Sequence, residues 1–390
     1  MAGYSTTQEN ALRGNTATTG GPTVDRAPVP VRTPPPGAHA LVVGATGITG
    51  TALSEQLVAQ GWRTSGISRR RPAVDGVEHV PADLFTGDAA GLAAALAGLR
   101  PTHVFITAWA RQDTEPENIR VNGAMVRDLL AALGEQGTLR HVALVTGLKH
   151  YLGPFEAYAQ GEVPDTPFLE DAERLAVENF YYAQEDELFS AAERWGFTWS
   201  VHRAHTVIGF AVGNAMNLVS TLGAYAAVVR ATDGEFVFPG SRAQWDGVVD
   251  LTDAGQLADH QLWAATTPAA ADTAFNVVDG DVVRWRRLWS QLAAALGVRP
   301  VGPGAEPAPL EEQMRAAGPV WERLVAEHGL VEPDLSRVAS WWHTDSDLGR
   351  PMEVIADMTA SRLAGFTGYV STERALLATL RRYRDAGILP

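Results

Sequence analysis

Lys149 and the tyrosine pair Tyr181-Tyr182 carry the most chemistry in this chain. The 31 lysines and arginines include a single lysine, in Val145-Thr-Gly-Leu-Lys149-His-Tyr151. An arginine there would be equally cationic, so charge alone does not account for the exception. Lysine differs in being a compact ammonium on a slim stem that can lie beside a cofactor, with a proton affinity that follows its surroundings. The spacing Tyr-x-x-x-Lys, which sets the two side chains one helical turn apart, does not occur. Position 145 is Val, four residues after Tyr181 stands Glu185, and four after Tyr182 stands Asp186. A catalytic tyrosine must therefore come from a different element than the lysine. Glu185 and Asp186 themselves read as a solvated helix start.

A second constellation is Gly44-Ala-Thr46-Gly47-Ile48-Thr-Gly50, between the apolar run 38–43 and a helical stretch. Glycines at this spacing allow a tight turn and bring backbone N–H groups close to a pyrophosphate at the positive end of a helix. The end of the second strand then selects the dinucleotide. NAD proteins usually place Asp or Glu there to hold the ribose diol. This chain has Ser68-Arg69-Arg70-Arg71, and guanidinium forks suit a phosphate dianion. NADPH/NADP+ is the expected cofactor. Asp83-Leu84, after the third strand, is placed to contact the adenine, with a plain turn carboxylate as the competing reading.

These residues meet only if strands deliver them to one edge. Strand candidates cover 38–43, 62–68, 76–81, 103–107, 141–146 and 198–202, with helical patterns at 51–60, 123–133 and 185–194. The alternation predicts an α/β fold with a doubly wound parallel sheet, Rossmann-like. Later helices are expected at 216–230, 285–296, 354–364 and 373–385. They would form a smaller, mainly helical C-terminal cap over the carboxyl edge, where such sheets bind ligands. The expected division is a disordered leader at 1–37, a cofactor-binding domain at 38–210, and a cap region at 211–390 with segments returning to the core sheet.

Composition removes several classes of function. The net charge is −14 with pI near 5.2, and no long basic run is present to neutralise phosphates, so no nucleic-acid partner is expected. Cysteine is absent, which excludes disulfides, cysteine-ligated zinc and a thiol nucleophile. The ten histidines show no H-x-x-x-H spacing, and no metal is expected. No apolar run reaches the ~18 residues of a membrane span. The start lacks a basic region and an apolar core, so it does not read as a signal peptide, and cytoplasm is the expected location. The leader is rich in Thr, Gly and Pro, without hydrophobic periodicity.

Thr146-Gly-Leu-Lys149-His-Tyr-Leu-Gly-Pro-Phe155 and Asn179-Phe-Tyr181-Tyr-Ala-Gln-Glu-Asp186 resemble signatures of the progesterone 5β-reductase/iridoid synthase-like (PRISE) family of atypical short-chain dehydrogenases. Trp199-Ser-Val-His-Arg203, Met216-Asn-Leu218, Phe238-Pro-Gly240, Trp245-Asp246, Phe275-Asn276, Trp341-Trp342 and Gly365-Phe366 extend the resemblance over nearly everything from residue 38 onward. It implies NADPH-dependent reduction of the C=C bond of an enone or enal, with Lys149 and Tyr181 as the catalytic pair and Tyr182 as packing. Thr107, Thr146 and Val207 are placed beside the cofactor with that pair. Trp109, Phe155 and Met216 are candidates for the substrate wall, though Trp109 and Met216 read equally well as core. One departure is visible. Where the plant pattern has Pro-Gly, this chain has Ala204-His205, in a loop expected beside the nicotinamide carboxamide. Competing readings are 1,2-reduction of a ketone or aldehyde, and a non-catalytic NADPH-sensing regulator. A monomer or homodimer acting on a small molecule is expected.

Overall fold

The computed structural model describes residues 32–154, 164–214, 216–306 and 308–390. The sheet is built from β1 (His39–Val43), β2 (Arg63–Ser68), β3 (Val77–Pro81), β4 (His103–Ile106), β5 (His141–Gly147) and β6 (Thr198–Ala204), together with a seventh strand, Thr273–Val277. All pairings are parallel, in the order Thr273–Val277, β6, β5, β4, β1, β2, β3. The chain winds outward from β1 to β3, then returns to β4 beside β1 and winds the other way. Ligands bind such sheets at this reversal, beyond the carboxyl ends of the strands.

Alternation along β1 decides which helices cover which face. Leu41 and Val43 pack with α3 (Glu115–Gly134), α5 (Phe180–Trp195) and α2 (Ala89–Leu96). Ala40 and Val42 face the other way, against α1 (Ile48–Ala59) and helix Ala254–Thr266. Both faces are buried, so the strands read as continuous apolar runs. A third core lies in the C-terminal part, where α6 (Leu218–Ala231), helix Trp285–Leu296 and helix Ala317–His328 bury Tyr225, Trp285, Trp289 and Trp321. Phe236 stacks on Trp289 with centroids 3.9 Å apart.

Three expectations change. Helix α3 begins at Glu115, eight residues before the apolar periodicity begins. Its first turns bury Asn118 and Asn122, whose amides serve the preceding loop, and that polar content hides the helix from a hydrophobic pattern. Residues 354–364 are helical only over Thr359–Leu363. Before that, Val354 bridges to Val249 and Ala356 to Phe168, because neighbouring backbone supplies the hydrogen bonds a helix would have made. Glu185 is not at a solvated helix start. It lies inside α5, is 2% exposed, and pairs with Arg174 at 2.8 Å. The strand Thr273–Val277 is the segment of the C-terminal region that returns to the sheet, preceded by helix Ala254–Thr266. The expected leader falls almost entirely outside the described residues. At its end, the Arg32 backbone N–H donates to Gln60 Oε1 at 3.1 Å. No helix among the described residues is long and apolar enough to cross a membrane.

Candidate active site

The carboxyl ends of β1 to β6 open onto one cavity of about 350 Å³. At one end the Gly44–Gly50 turn feeds α1. Gly44 has φ +89, and a Cβ on it would meet Ala108 Cβ at 2.9 Å. A Cβ on Gly50 would lie 2.1 Å from the Gly44 carbonyl, so this glycine is needed for the close packing of helix on turn. Gly44, Thr46, Gly47 and Ile48 line the cavity, whereas Gly50 is buried behind them. No side chain caps α1, which leaves its first N–H groups for an anion. Thr107 Oγ1 donates to the Val43 carbonyl at 2.8 Å and ties the turn to the end of β4.

The residues after β2 and β3 divide. Ser68, Arg69, Asp83 and Leu84 line the cavity. Arg70 does not: its Nη2 donates to the carbonyls of Val212 and Gly213 at 3.2 and 3.4 Å. Arg70 thus holds the segment 211–214, whose Asn214 reaches the cavity wall opposite Gly47. Asp83 Oδ1 accepts from its own turn, at Phe85 N. The donor set fits a dinucleotide: N–H groups and a glycine turn for the pyrophosphate, and the Arg69 guanidinium on the wall after β2.

At the middle of the cavity the two halves of the expected pair come together. Lys149 opens the short helix α4 (Lys149–Leu152), directly after β5. Tyr181 stands in the first turn of α5. A Cβ on Gly147 would lie 3.5 Å from the Tyr181 hydroxyl, so the phenol reaches over the strand end that carries the lysine. Asn179 joins the two elements. Its Nδ2 donates to the Lys149 carbonyl at 2.6 Å, and its Oδ1 accepts from Tyr181 N at 3.0 Å. The Lys149 ammonium lies 5.6 Å from the centre of the Phe180 ring. Phe180 is stacked on Trp109, with ring centroids 5.4 Å apart. Lys149 is buried, 4% exposed. Tyr182 is a structural residue, with its hydroxyl donating to the His150 carbonyl at 2.6 Å. Below the pair, Tyr151 donates to Asn276 Oδ1 at 2.7 Å, and Asn276 donates to the Phe168 and Asp357 carbonyls. Glu170 accepts from Asn276 N, and burial pushes its carboxyl up to about 7.

Thr146, Trp109, Val207 and Met216 line the cavity as expected, and Phe155 lies outside the described residues. His205 lines it too. Its Nε2 is paired with the Asp250 carboxylate, both side chains 2% exposed, and Asp250 also accepts from Ala356 N at 2.8 Å. Thr206, next in the chain, has φ +38. The wall also includes residues that were not anticipated, among them His343 and Asp347, from helix Trp341–Leu348, and Arg350 just beyond it. Their spacing of four and three residues is that of one helix face, a signal present in the sequence but not specific to a ligand site. The joining role of Asn179 left only a weaker trace, an N-cap residue before an aromatic run.

A family model described as a PRISE-like Rossmann-fold domain matches residues 82–390. An (S)-8-oxocitronellyl enol synthase of Camptotheca acuminata is 38% identical over 365 residues, covering 90% of this chain and 93% of that protein. The chain belongs to the PRISE family. A 3-oxo-Delta(4,5)-steroid 5-beta-reductase of Arabidopsis thaliana is 36% identical over 363 residues, with the same coverage. Among solved structures, the UDP-glucose 4-epimerase of Thermus thermophilus in complex with NAD superposes with a TM-score of 0.62 at 18% identity, covering 89% of this chain and 99% of that one. That likeness is one of fold, and it agrees with the seven-stranded parallel sheet.

Proposed function

We propose that this PRISE-family protein is an NADPH-dependent reductase that saturates the C=C bond of an α,β-unsaturated ketone or aldehyde. The observation that carries the reading is the placement of Tyr181 beside the end of β5, with Asn179 bonded to both the lysine and the tyrosine backbones. The names of the related steroid reductase and enol synthases agree with the chemistry. NADPH, when bound, supplies a hydride to the β-carbon. Negative charge then grows on the substrate carbonyl oxygen. The Tyr181 phenol donates a hydrogen bond to that oxygen and stabilises the enolate, a contribution of roughly 10²–10³ in rate for one such donor, and a proton from solvent at the α-carbon completes the saturation. The buried Lys149 ammonium favours negative charge on the phenol side and would hold the cofactor ribose. Phe180 and Trp109 keep water from the pair. Arg69, on the cavity wall where a NAD protein has an acid, supports NADP(H) over NAD(H).

The test is NADPH consumption over cyclic enones, linear enals and steroid enones, with analysis of the products. A saturated carbonyl compound is expected. An allylic alcohol would show 1,2-reduction instead. Tight NADPH binding without turnover of any member of the panel would favour a cofactor-sensing protein.

A further inference from the structure

We infer that Glu115 is a positioning residue for the reaction: it ties the first turn of α5, which carries Tyr181, to the loop that carries Trp109. The inference rests on the reductase reading above and names a further residue that serves its oxyanion donor. Glu115 opens α3, and Asn118 and Asn122 follow it on the same helix face, at i+3 and i+7. Further along, that face is apolar, with Met125, Leu129 and Leu133 in the core against the sheet. It is polar only in its first two turns, where Glu115, Asn118 and Asn122 are all buried. Burying such side chains is costly unless each polar atom finds a partner. Here each one does. Glu115 Oε1 accepts from Phe180 N at 2.8 Å, and Oε2 from Asn118 Nδ2 at 3.0 Å. Asn118 Oδ1 accepts from Gln112 N at 2.7 Å. Asn122 Oδ1 accepts from Ala110 N, and its Nδ2 donates to the Ala110 carbonyl, each at 2.8 Å.

The partners show what this polar face holds. Ala110 and Gln112 belong to the loop between β4 and α3, whose Trp109 stands in the cavity wall. Phe180 N is among the first N–H groups of α5, which the helix itself leaves without an acceptor. The acceptor it finds comes from 65 residues earlier in the chain, and it brings a carboxylate to the positive end of the helix. The Phe180 ring stacks on Trp109, with centroids 5.4 Å apart, so the bond, the loop and the ring contact close a circuit. The start of α5 is therefore held by two elements: Asn179 bonds the Lys149 carbonyl of α4, and Glu115 reaches Phe180 from α3. One anchor alone would leave the first turn free to pivot about it, and a second from another element prevents this. Tyr181 is the next residue after Phe180. Its hydroxyl sits at the far end of a long rigid side chain, so a small pivot of the turn becomes a larger displacement at the reacting oxygen.

The experiment is a double-mutant cycle on an enone that the parent protein reduces. kcat is counted per site that binds NADPH, by titrating cofactor fluorescence, so that misfolded protein drops out. Glu115→Ala should lower this kcat by about tenfold or more, as misplacement of a reacting group does. The deciding arm repeats the substitution in Tyr181→Phe, where no hydroxyl is left to place. If Glu115 acts through that hydroxyl, its loss should there cost less than about twofold. A merely structural role would cost the same factor in both backgrounds, and that result overturns the inference. Glu115→Gln and Glu115→Asp separate reach from charge. Gln still offers an oxygen to Phe180 N while losing the bond from Asn118, so it should unfold at lower urea than the parent yet turn over about fivefold or more faster than Glu115→Ala. Asp keeps the charge but is one methylene short, and it should match Glu115→Ala. An active Asp variant with an impaired Gln variant would assign the effect to charge and overturn the positioning role. Parent-level kcat in Glu115→Ala overturns the inference and spares the reductase reading. Absence of enone turnover by the parent protein takes both down.

Discussion

Replacing Asn179 by serine separates two things this side chain does. In the structure Asn179 caps α5 by accepting from Tyr181 N at 3.0 Å, and it donates to the Lys149 carbonyl at 2.6 Å. Serine caps helices about as well as asparagine, but it is too short to reach the carbonyl. Asn179→Ser therefore loses one of the two bonds to this carbonyl, which still accepts from Gly153 N at 3.0 Å, at about 0.5–1.5 kcal/mol, while keeping the cap. Asn179→Ala loses both, adding about 1 kcal/mol for the cap. The catalytic consequence follows from geometry. The bond fixes the distance between the first turn of α5 and the start of α4, and a shift of roughly 1 Å between reacting groups costs on the order of 10²-fold in rate. Both variants should then lose kcat by about tenfold to a hundredfold and by similar amounts, although they differ in stability. Denaturant melts give the stability, and steady-state turnover at a temperature where both are folded gives kcat. If Asn179→Ser keeps the parent kcat, or if kcat follows stability across the two variants, the bond does not position the pair.

Tyr181→Phe should lower kcat by about tenfold or more with little change in NADPH affinity, since only one donor to the enolate oxygen is lost; an unchanged kcat removes the phenol from the mechanism. Lys149→Arg keeps the charge but not the shape or the hydrogen-bond geometry, and turnover equal to the parent would make the lone lysine an accident of composition. Arg69→Ala should raise KM for NADPH far more than for NADH, whereas Arg70→Ala, which frees the 211–214 segment, should weaken both cofactors; the reverse pattern refutes the assignment of Arg69 to the phosphate. Burial pushes His141 and His260 down to about 3, so both are neutral in the fold and bind protons only when the chain unfolds. Stability should be full above pH ~6.5 and fall as the pH drops toward the folded values, each histidine adding up to about 1.4 kcal/mol per pH unit. Urea melts at pH 7 and 5 that coincide would contradict this.

The glycine turn, the lone lysine and the Asn179-Phe-Tyr-Tyr run were legible along the chain because each is a local pattern. A strand must be apolar to be buried on both faces, a turn that approaches a pyrophosphate must be glycine, and a motif keeps its spacing whatever surrounds it. These made the sheet and the candidate residues of the site readable. Contacts made across the fold were not legible. The sequence offers Arg69 and Arg70 as equal candidates for a phosphate, and only packing against Val212 and Gly213 diverts the second. Glu185 reads as a solvated carboxylate until Arg174 is seen closing over it. His343, Asp347 and Arg350 lie some 160 residues or more beyond Tyr181, and no local period links them to it; the carboxyl edge of the sheet does. Residue type and near spacing are properties of the chain. Which buried donor meets which acceptor depends on elements far apart in sequence docking in one arrangement, and that is decided by the tertiary structure.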